Sequence, residues 1–269
     1  MSLLGRPPEQ DDVAPATSRP AVGRIQRADG SVADTLWQIA EEVPVALMFN
    51  SESFAVMMAT PADLEDFGVG FAIAERVAPD STAIVGVIAM PVENGFAVDI
   101  ALRDGITPPA TRRAIEGRSG CGLCGVEDIA EVVKPVRRVT RSFDLTEAAV
   151  RRAFDALPAH QPMNRLNHSV HAAAWCDRSG QVLLAREDVG RHNALDKLIG
   201  ALARQKIDPG SGFVAMTSRC SFELVQKAAA ANISYLATIS APTALALRLA
   251  GEANIGLAVA SREGIVFFG

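Results

Sequence analysis

The fold class is most evident in residues 213–261, FVAMTSRCSFELVQKAAAANISYLATISAPTALALRLAGEANIGLAVAS. Three short apolar runs predict strands, and two alanine-rich segments between them predict helices. The strands are expected over 213–218, 235–240 and 255–261, and the helices over 221–231 and 242–251. Strands that alternate with helices run parallel and are joined by right-handed crossovers. The stretch therefore predicts a three-layer α/β/α domain.

Upstream segments extend this domain to residues 136–269. Capping residues and helical periodicity predict helices over 144–158 and 193–205, and a turn near Gly180 separates two predicted strands, over 170–176 and 181–187. Lys197 is expected on the surface of the second helix. The chain has 269 residues, which suffice for one large or two medium domains.

The first half predicts a smaller α+β domain over residues 25–118. Two strand pairs flank one helix, which Thr60 is expected to cap; the strands are expected over 45–50, 53–60, 83–92 and 95–102, and the helix over 60–77. Residues 1–24 contain four prolines and predict a disordered tail. Residues 119–135 predict a mobile, glycine-rich loop and linker.

Composition argues against two classes of partner. The formal net charge is −5 and only 5% of residues are aromatic, so neither a basic stripe nor a base-stacking surface is expected, and nucleic acid is not a predicted partner. No apolar run approaches the ~18 residues of a membrane span. The first residues lack the apolar core of a signal peptide, so a cytoplasmic protein is expected.

Polar segments follow three of the predicted strands. In open α/β sheets, ligands bind outside the carboxyl ends of the strands, and helix N-termini there favour anions. The segments are REDVGRHN (186–193), TSRCS (217–221) and SAPT (240–243). The hydroxyls of Ser218, Ser221, Ser240 and Thr243 would donate hydrogen bonds, and Arg191 and Arg219 would add positive charge. Helix capping is the better explanation of each hydroxyl taken singly, but their convergence at one end of the sheet predicts a site for a phosphate-bearing ligand.

The segment 186–193 has two interpretations. A carboxylate of Glu187 or Asp188 would recognise guanine, while Arg191 and His192 complete a polar cluster beside it. Alternatively, the same side chains form an internal network that only holds the turn between strand and helix.

The segment SGCGLCG (119–125) contains the most reactive candidates. Cys176 and Cys220 lie in apolar surroundings and are expected to be buried, whereas Cys121 and Cys124 form a close, glycine-flanked pair. One hypothesis is a structural zinc site completed by His168 and His171. A second is thioredoxin-type exchange, although the pair lacks a helix start behind it.

The third hypothesis for the pair is sulfur transfer. A thiolate attacks the terminal sulfur of a donor persulfide by the same nucleophilic chemistry as disulfide exchange. Arg112, Arg113 and Arg118 precede the pair and would favour anionic sulfur. Cys124 would either take over the sulfur or release it by forming a disulfide with Cys121.

These residues carry a resemblance to a known family. REDVGRHNALDKLIG (186–200), together with SGCGLCG, resembles the formate dehydrogenase accessory sulfurtransferase (FdhD/NarQ) family. Supporting matches extend the resemblance over most of residues 38–269; they are ATPADLEDFGVGFAIAE (59–75), CSFELVQKAA (220–229) and ISAPTALALRLA (239–250).

The resemblance implies a specific function. Such proteins accept sulfur from a cysteine desulfurase as a persulfide and pass it to the molybdenum cofactor, carried as bis(molybdopterin guanine dinucleotide). That cofactor is a bound substrate, which then enters formate dehydrogenase; no permanent cofactor or metal is implied. The resemblance also implies a cytidine-deaminase-like fold for the larger domain and a homodimer.

The resemblance assigns residues as well. Cys121 matches the persulfide-forming position, and Cys124 matches its partner. The cofactor-binding segment corresponds to Ala260, Ser261, Arg262, Glu263, Gly264 and Ile265. Glu263 and Ile265 depart from the family pattern, as do 167–169 and 217–218. A cofactor-binding chaperone without sulfur chemistry is the alternative, and a zinc-dependent deaminase-like hydrolase is a third hypothesis, which lacks the His-x-Glu that it needs.

Overall fold

A computed structural model describes residues 16–108 and 134–269. Within those ranges the chain forms a two-stranded ribbon, a four-stranded sheet and a six-stranded sheet. The strands are β1 (Ser18–Gln26), β2 (Val32–Ala40), β3 (Val43–Phe49), β4 (Glu52–Ala59), β5 (Ile84–Val92), β6 (Gly95–Leu102), β7 (His171–Cys176), β8 (Val182–Asp188), β9 (Phe213–Arg219), β10 (Tyr235–Ser240), β11 (Gly256–Ala260) and β12 (Ile265–Phe268). The helices are α1 (Leu64–Ala74), α2 (Glu147–Ala156), α3 (Pro162–Asn167), α4 (Arg191–Arg204), α5 (Phe222–Ala230) and α6 (Ala244–Ala253).

The six-stranded sheet has the order β12-β11-β10-β9-β7-β8. Strands β9, β10 and β11 are parallel, as the alternation of strands and helices predicted. Strand β7 is antiparallel to both β8 and β9, so β8 runs in the same direction as β9. The carboxyl ends of β8, β9, β10 and β11 therefore lie at one edge, which we call the carboxyl edge.

Alternating residues of the central strands bury both faces of this sheet. Trp175, on β7, packs with α4, α5 and α6 on one face. Ala174 and Cys176 pack with α2 on the other. The mixed α/β class and the three-layer arrangement are thus confirmed. The likeness of this domain to cytidine deaminases stays a prediction.

The smaller sheet has the order β4-β3-β6-β5, and α1 covers one of its faces. A tight turn joins β3 to β4, with Asn50 and Ser51 at φ values of 50° and 66°. Two residues of positive φ suit the right-handed twist of a hairpin. This half has the α+β composition that the sequence predicted.

Helices α1 and α4 join the two sheets at a glycine contact. A Cβ atom on Gly70 would lie 1.6 Å from the carbonyl oxygen of Asp196, and one on Gly200 would lie 1.8 Å from that of Asp66. Only glycine permits such a close approach of two backbones. The contact therefore fixes the smaller sheet against the helix that begins at the carboxyl edge.

Charged side chains reinforce this joint. Arg186 and Arg204 donate to the same carboxylate, that of Asp66, at 2.7 and 2.6 Å. The Lys227 ammonium lies 2.9 Å from both oxygens of Asp196. Burial lowers the pKa of Lys227, but the neighbouring carboxylates outweigh that effect and raise it, so the lysine stays charged.

Two local expectations were wrong. Residues 18–24, assigned to a disordered tail, belong to β1, because each strand of a two-stranded ribbon is an edge strand, where Pro20 is tolerated. Helix α1 begins at Leu64, and Asp63 precedes it in a left-handed conformation. Thr60 is therefore not its cap. The division of the chain at residues 24, 118 and 135 otherwise stays a prediction.

Candidate functional site

The carboxyl edge brings together the polar segments that the sequence singled out. Residues 186–193 span the end of β8, residues 217–221 span the end of β9, and residues 240–243 begin at the last residue of β10. The turn 261–264 follows β11 at the same edge. His171, the first residue of the antiparallel β7, lies there too, opposite Asp188.

Asp188 is fully buried and its carboxylate is occupied from within the chain. One oxygen, Oδ2, lies 2.7 Å from the Lys197 ammonium and accepts from the Thr60 backbone N–H at 2.9 Å. The other, Oδ1, accepts from the Gly190 N–H at 2.8 Å and from the Asn193 amide at 2.9 Å. Because these four donors saturate it, Asp188 has the internal role that the sequence left open as an alternative to guanine recognition.

Thr60 completes the same network from the smaller sheet. Its carbonyl oxygen accepts from Lys197 at 2.9 Å, and its hydroxyl accepts from the Val189 N–H at 3.1 Å. Lys197 is fully buried, so its expected surface position was wrong. The network holds the turn between β8 and α4 against the end of β4.

Glu187 also has an internal role. Its carboxylate oxygens accept from the backbone N–H groups of Met163 and Asn164, both at 2.9 Å, at the start of the short helix α3. Burial raises the pKa of Glu187, and these two hydrogen bonds oppose that shift. Both carboxylate oxygens thus hold the start of α3, and the side chain of Glu187 is buried.

His192, in the first turn of α4, is 4% exposed and pairs with residues at the start of α5. Its Nε2 lies 3.0 Å from the Glu223 carboxylate and 3.4 Å from the Ser221 hydroxyl. Within residues 16–108 and 134–269, its other ring nitrogen, Nδ1, has no hydrogen-bond partner. Nothing in the local sequence pointed to Glu223 as a partner of His192, because Glu223 lies in a different crossover.

Burial lowers the pKa of His192, and the Glu223 carboxylate opposes that shift without cancelling it. Burial likewise lowers the pKa of His171, with a further contribution from the positive charge of Arg191. Both imidazoles are therefore neutral at neutral pH.

We expect the wild-type protein to lose more stability on acidification than the His192→Gln variant. Below the unfolded-state pKa of about 6.5, the unfolded chain binds a proton that the buried imidazole resists, so the free energy of unfolding falls as pH falls. Urea denaturation of both proteins from about pH 7.5 to about pH 5.5 measures the difference. The difference between the two free energies of unfolding at each pH removes the contribution of carboxylates such as Asp196, which both proteins share. Parallel curves would contradict the assignment.

The other predicted ligand-binding residues of β9 and β10 divide between interior and surface. Ser218 is buried and donates to the Arg219 carbonyl oxygen at 3.1 Å. Arg219 and Ser240 are exposed and adjacent, in register across the two strands. Thr243 caps α6 by accepting from the Ala246 N–H at 3.2 Å.

The predicted segment Ala260–Ile265 forms the turn between the antiparallel strands β11 and β12. The Ser261 hydroxyl donates to the Gly264 carbonyl oxygen at 2.8 Å, and Gly264 has a positive φ of 147°. Arg262 and Glu263 are both exposed. The turn thus adds one cation and one anion to the carboxyl edge.

The edge therefore carries Arg219 and Arg262 at the surface and the half-buried Arg191. Guanidinium groups bind phosphate oxygens with two parallel hydrogen bonds. The chemistry suits an anionic ligand, and Glu263 opposes it locally.

The four cysteines fall into two sets. Cys121 and Cys124 lie outside the described residues, as do Arg112, Arg113 and Arg118. Cys176 and Cys220 are 0% and 1% exposed, and burial raises the pKa of each thiol to about 12. Neither buried thiol forms a thiolate near neutral pH.

The histidines of the zinc hypothesis lie at different places. His168 is exposed at the end of α3, and its ring centroid lies 6.2 Å from that of Trp37. His171 is half-buried at the carboxyl edge. Among the described residues, no group of three or more His, Cys, Asp or Glu side chains is arranged to hold a metal ion. Across the same residues, no helix is both long and apolar enough to cross a membrane.

Comparison with known proteins gives consistent matches. The model of the FdhD/NarQ family matches residues 40–266. A protein of Bordetella petrii named "Sulfur carrier protein FdhD" is 45% identical over 249 residues, covering 91% of this chain and 90% of that protein. A protein of the same name from Xanthomonas euvesicatoria is 48% identical over 231 residues, covering 84% and 81%.

A solved structure from Desulfotalea psychrophila, named as a formate dehydrogenase accessory protein, superposes with a TM-score of 0.76. The match covers 94% of this chain and 97% of that one, at 23% identity. At that level of identity, the likeness supports the fold alone.

Proposed function

Because this chain belongs to the FdhD/NarQ family, we propose that it is a sulfur carrier that serves the maturation of formate dehydrogenase. The relatives are named for sulfur carriage, and they align with most of this chain. Formate dehydrogenase is accordingly the proposed recipient.

The proposed donor is a cysteine desulfurase that carries a persulfide. The Cys121 thiolate attacks the terminal sulfur, a new S–S bond forms on Cys121, and the donor cysteine leaves as a thiolate. No external oxidant or reductant is needed, because one S–S bond replaces another. Cys121 is then the persulfide carrier.

Release of the sulfur has two balanced routes. Cys124 attacks the terminal sulfur and becomes the persulfide, or it attacks the sulfur of Cys121. In the second route the terminal sulfur leaves as sulfide and a Cys121–Cys124 disulfide forms, which a dithiol reductant must reduce before the next cycle.

The proposed sulfur acceptor is molybdenum bis(molybdopterin guanine dinucleotide), bound as a substrate at the carboxyl edge. Arg191, Arg219 and Arg262 fit its phosphates, since guanidinium groups and helix N-termini both favour anions. Asp188 does not fit guanine, because its oxygens are saturated and buried.

The protein is also proposed to form a homodimer, as the family resemblance implies.

The burial of Cys176 and Cys220 is the main support for assigning the sulfur chemistry to Cys121 and Cys124. The chain has four cysteines, and two of them are buried core thiols whose pKa is about 12. Since the thiolate is the nucleophile, sulfur chemistry falls to Cys121 and Cys124.

Sulfur loading tests this assignment. The Cys176→Ala/Cys220→Ala double variant, incubated with a cysteine desulfurase and cysteine, is expected to gain one sulfur atom to the same extent as the wild-type protein. Intact-protein mass spectrometry measures the gain, and cyanide, which removes sulfane sulfur, should reverse it. Loss of loading in a double variant that remains folded by circular dichroism would refute the assignment.

A further inference from the structure

His192 and Glu223 form a buried pair between the first turns of two helices. The 3.0 Å separation of Nε2 and Oε2 is a hydrogen-bond distance, so a proton must lie between these atoms. Burial would raise the pKa of Glu223, but the hydrogen bond with His192 and nearby positive charge lower it. Glu223 is therefore ionised, and the proton resides on Nε2.

Because the imidazole is neutral with its proton on Nε2, Nδ1 is an acceptor with a free lone pair. Three charged groups act on the pKa of the ring: Glu223 raises it, and Arg191 and Lys227 lower it. The two cations disfavour a second proton on the ring. Nδ1 thus stays an acceptor at neutral pH.

This acceptor is buried and, among the described residues, has no donor. A buried polar atom without a hydrogen bond costs about 1–3 kcal/mol, and native proteins rarely leave one. The atom lies beside the carboxyl edge, where open α/β sheets bind their ligands. A ligand that supplies a donor there would recover the lost hydrogen bond.

We propose that His192 Nδ1 accepts a hydrogen bond from an N–H group of a bound nitrogen heterocycle, and that Glu223 is the positioning residue that fixes the required tautomer. A phosphate is excluded from this position, because its ionised oxygens are acceptors and cannot donate a hydrogen bond to the lone pair of Nδ1. The inference rests on the proposed function, whose substrate carries guanine and pterin rings rich in N–H donors. It assigns the heterocycle to His192 and leaves the phosphates to the arginines.

The pair of variants His192→Gln and His192→Asn tests the inference. Glutamine retains a donor near the Nε2 position and loses the acceptor at Nδ1, whereas asparagine retains an amide near Nδ1. Guanosine diphosphate and inorganic pyrophosphate are the probes, titrated calorimetrically into sulfur-free protein. Loss of one hydrogen bond to the base predicts about tenfold weaker binding of guanosine diphosphate to His192→Gln, with His192→Asn nearer the wild type.

Pyrophosphate separates specific from general effects. Its affinity is expected to be the same for the wild-type protein and both variants. Equal losses for both probes, unchanged guanosine diphosphate binding in His192→Gln, or no binding of guanosine diphosphate by the wild-type protein would each overturn the inference.

Nitrogen-15 NMR tests the tautomer directly. The Nδ1 resonance of His192 should have the shift of an unprotonated nitrogen in the free protein, and guanosine diphosphate, but not pyrophosphate, should move it toward the hydrogen-bonded value. In Glu223→Gln the two tautomers should mix. A protonated Nδ1 in the free wild-type protein would overturn the inference. Failure of sulfur loading is a separate result, since loading is measured on wild-type protein without nucleotide.

Discussion

Replacement of Cys121 by alanine is expected to abolish activation of formate dehydrogenase. The persulfide needs a thiolate, the alanine side chain offers none, and the buried thiols of Cys176 and Cys220 do not ionise near neutral pH. Formate dehydrogenase activity, measured in a bacterial host that lacks its own family member, should fall to the level of the host without the protein.

Cys220→Ala is the matched control, because it removes a thiol of the same size from the core. It should support activation close to that of the wild-type protein, apart from a modest loss of stability. Cys124→Ala should still load sulfur on Cys121 but should not turn over, because both release routes need the Cys124 thiolate. In the wild-type protein without reductant, a Cys121–Cys124 disulfide found by mass spectrometry would favour the second route. If Cys121→Ala activated formate dehydrogenase as well as the wild-type protein does, the result would favour the alternative of a cofactor-binding chaperone without sulfur chemistry.

Replacement of Lys197 by methionine is expected to lower the free energy of unfolding by about 3–5 kcal/mol, the usual range when one partner of a buried ion pair is removed. The variant leaves the Asp188 carboxylate buried without its counter-ion and removes the donor to the Thr60 carbonyl oxygen. Urea denaturation monitored by circular dichroism measures the change.

Lys206→Met is the control, since Lys206 is exposed in the turn that follows α4 and its replacement should change stability by less than about 0.5 kcal/mol. Adding Asp188→Asn to Lys197→Met should recover part of the loss, because a neutral amide is cheaper to bury than an unpaired carboxylate. A loss in Lys197→Met as small as that of the control would show that the network does not hold the turn.

The larger sheet was predictable because its information is local. Strands β9, β10 and β11 are short apolar runs, and the helices between them have their own periodicity, so chain order alone implied parallel strands. The ribbon of β1 and β2 was not predictable, because a proline and exposed polar residues interrupt the pattern that would indicate its strand pairing. Its pairing partners, such as Val22 and Leu36, are recognisable only in three dimensions.

The location of the site was predictable from the sequence, but the roles of its individual residues were not. Chain topology put residues 186–193, 217–221 and 240–243 at one edge, and the structure confirms that convergence. The role of Asp188 depends on Lys197 and on Thr60, which lies 128 positions away in the chain. Burial of a lysine has no local signature, since the same residue type usually lies on the surface.

Peptide mapping of the wild-type protein, after incubation with a cysteine desulfurase and cysteine, locates the transferred sulfur. A mass gain of one sulfur atom is expected on the peptide that contains Cys121 and Cys124, and it should disappear from that peptide in Cys121→Ala. Sulfur found on Cys176 or Cys220, or on no cysteine at all, would contradict the proposal that Cys121 carries the sulfur.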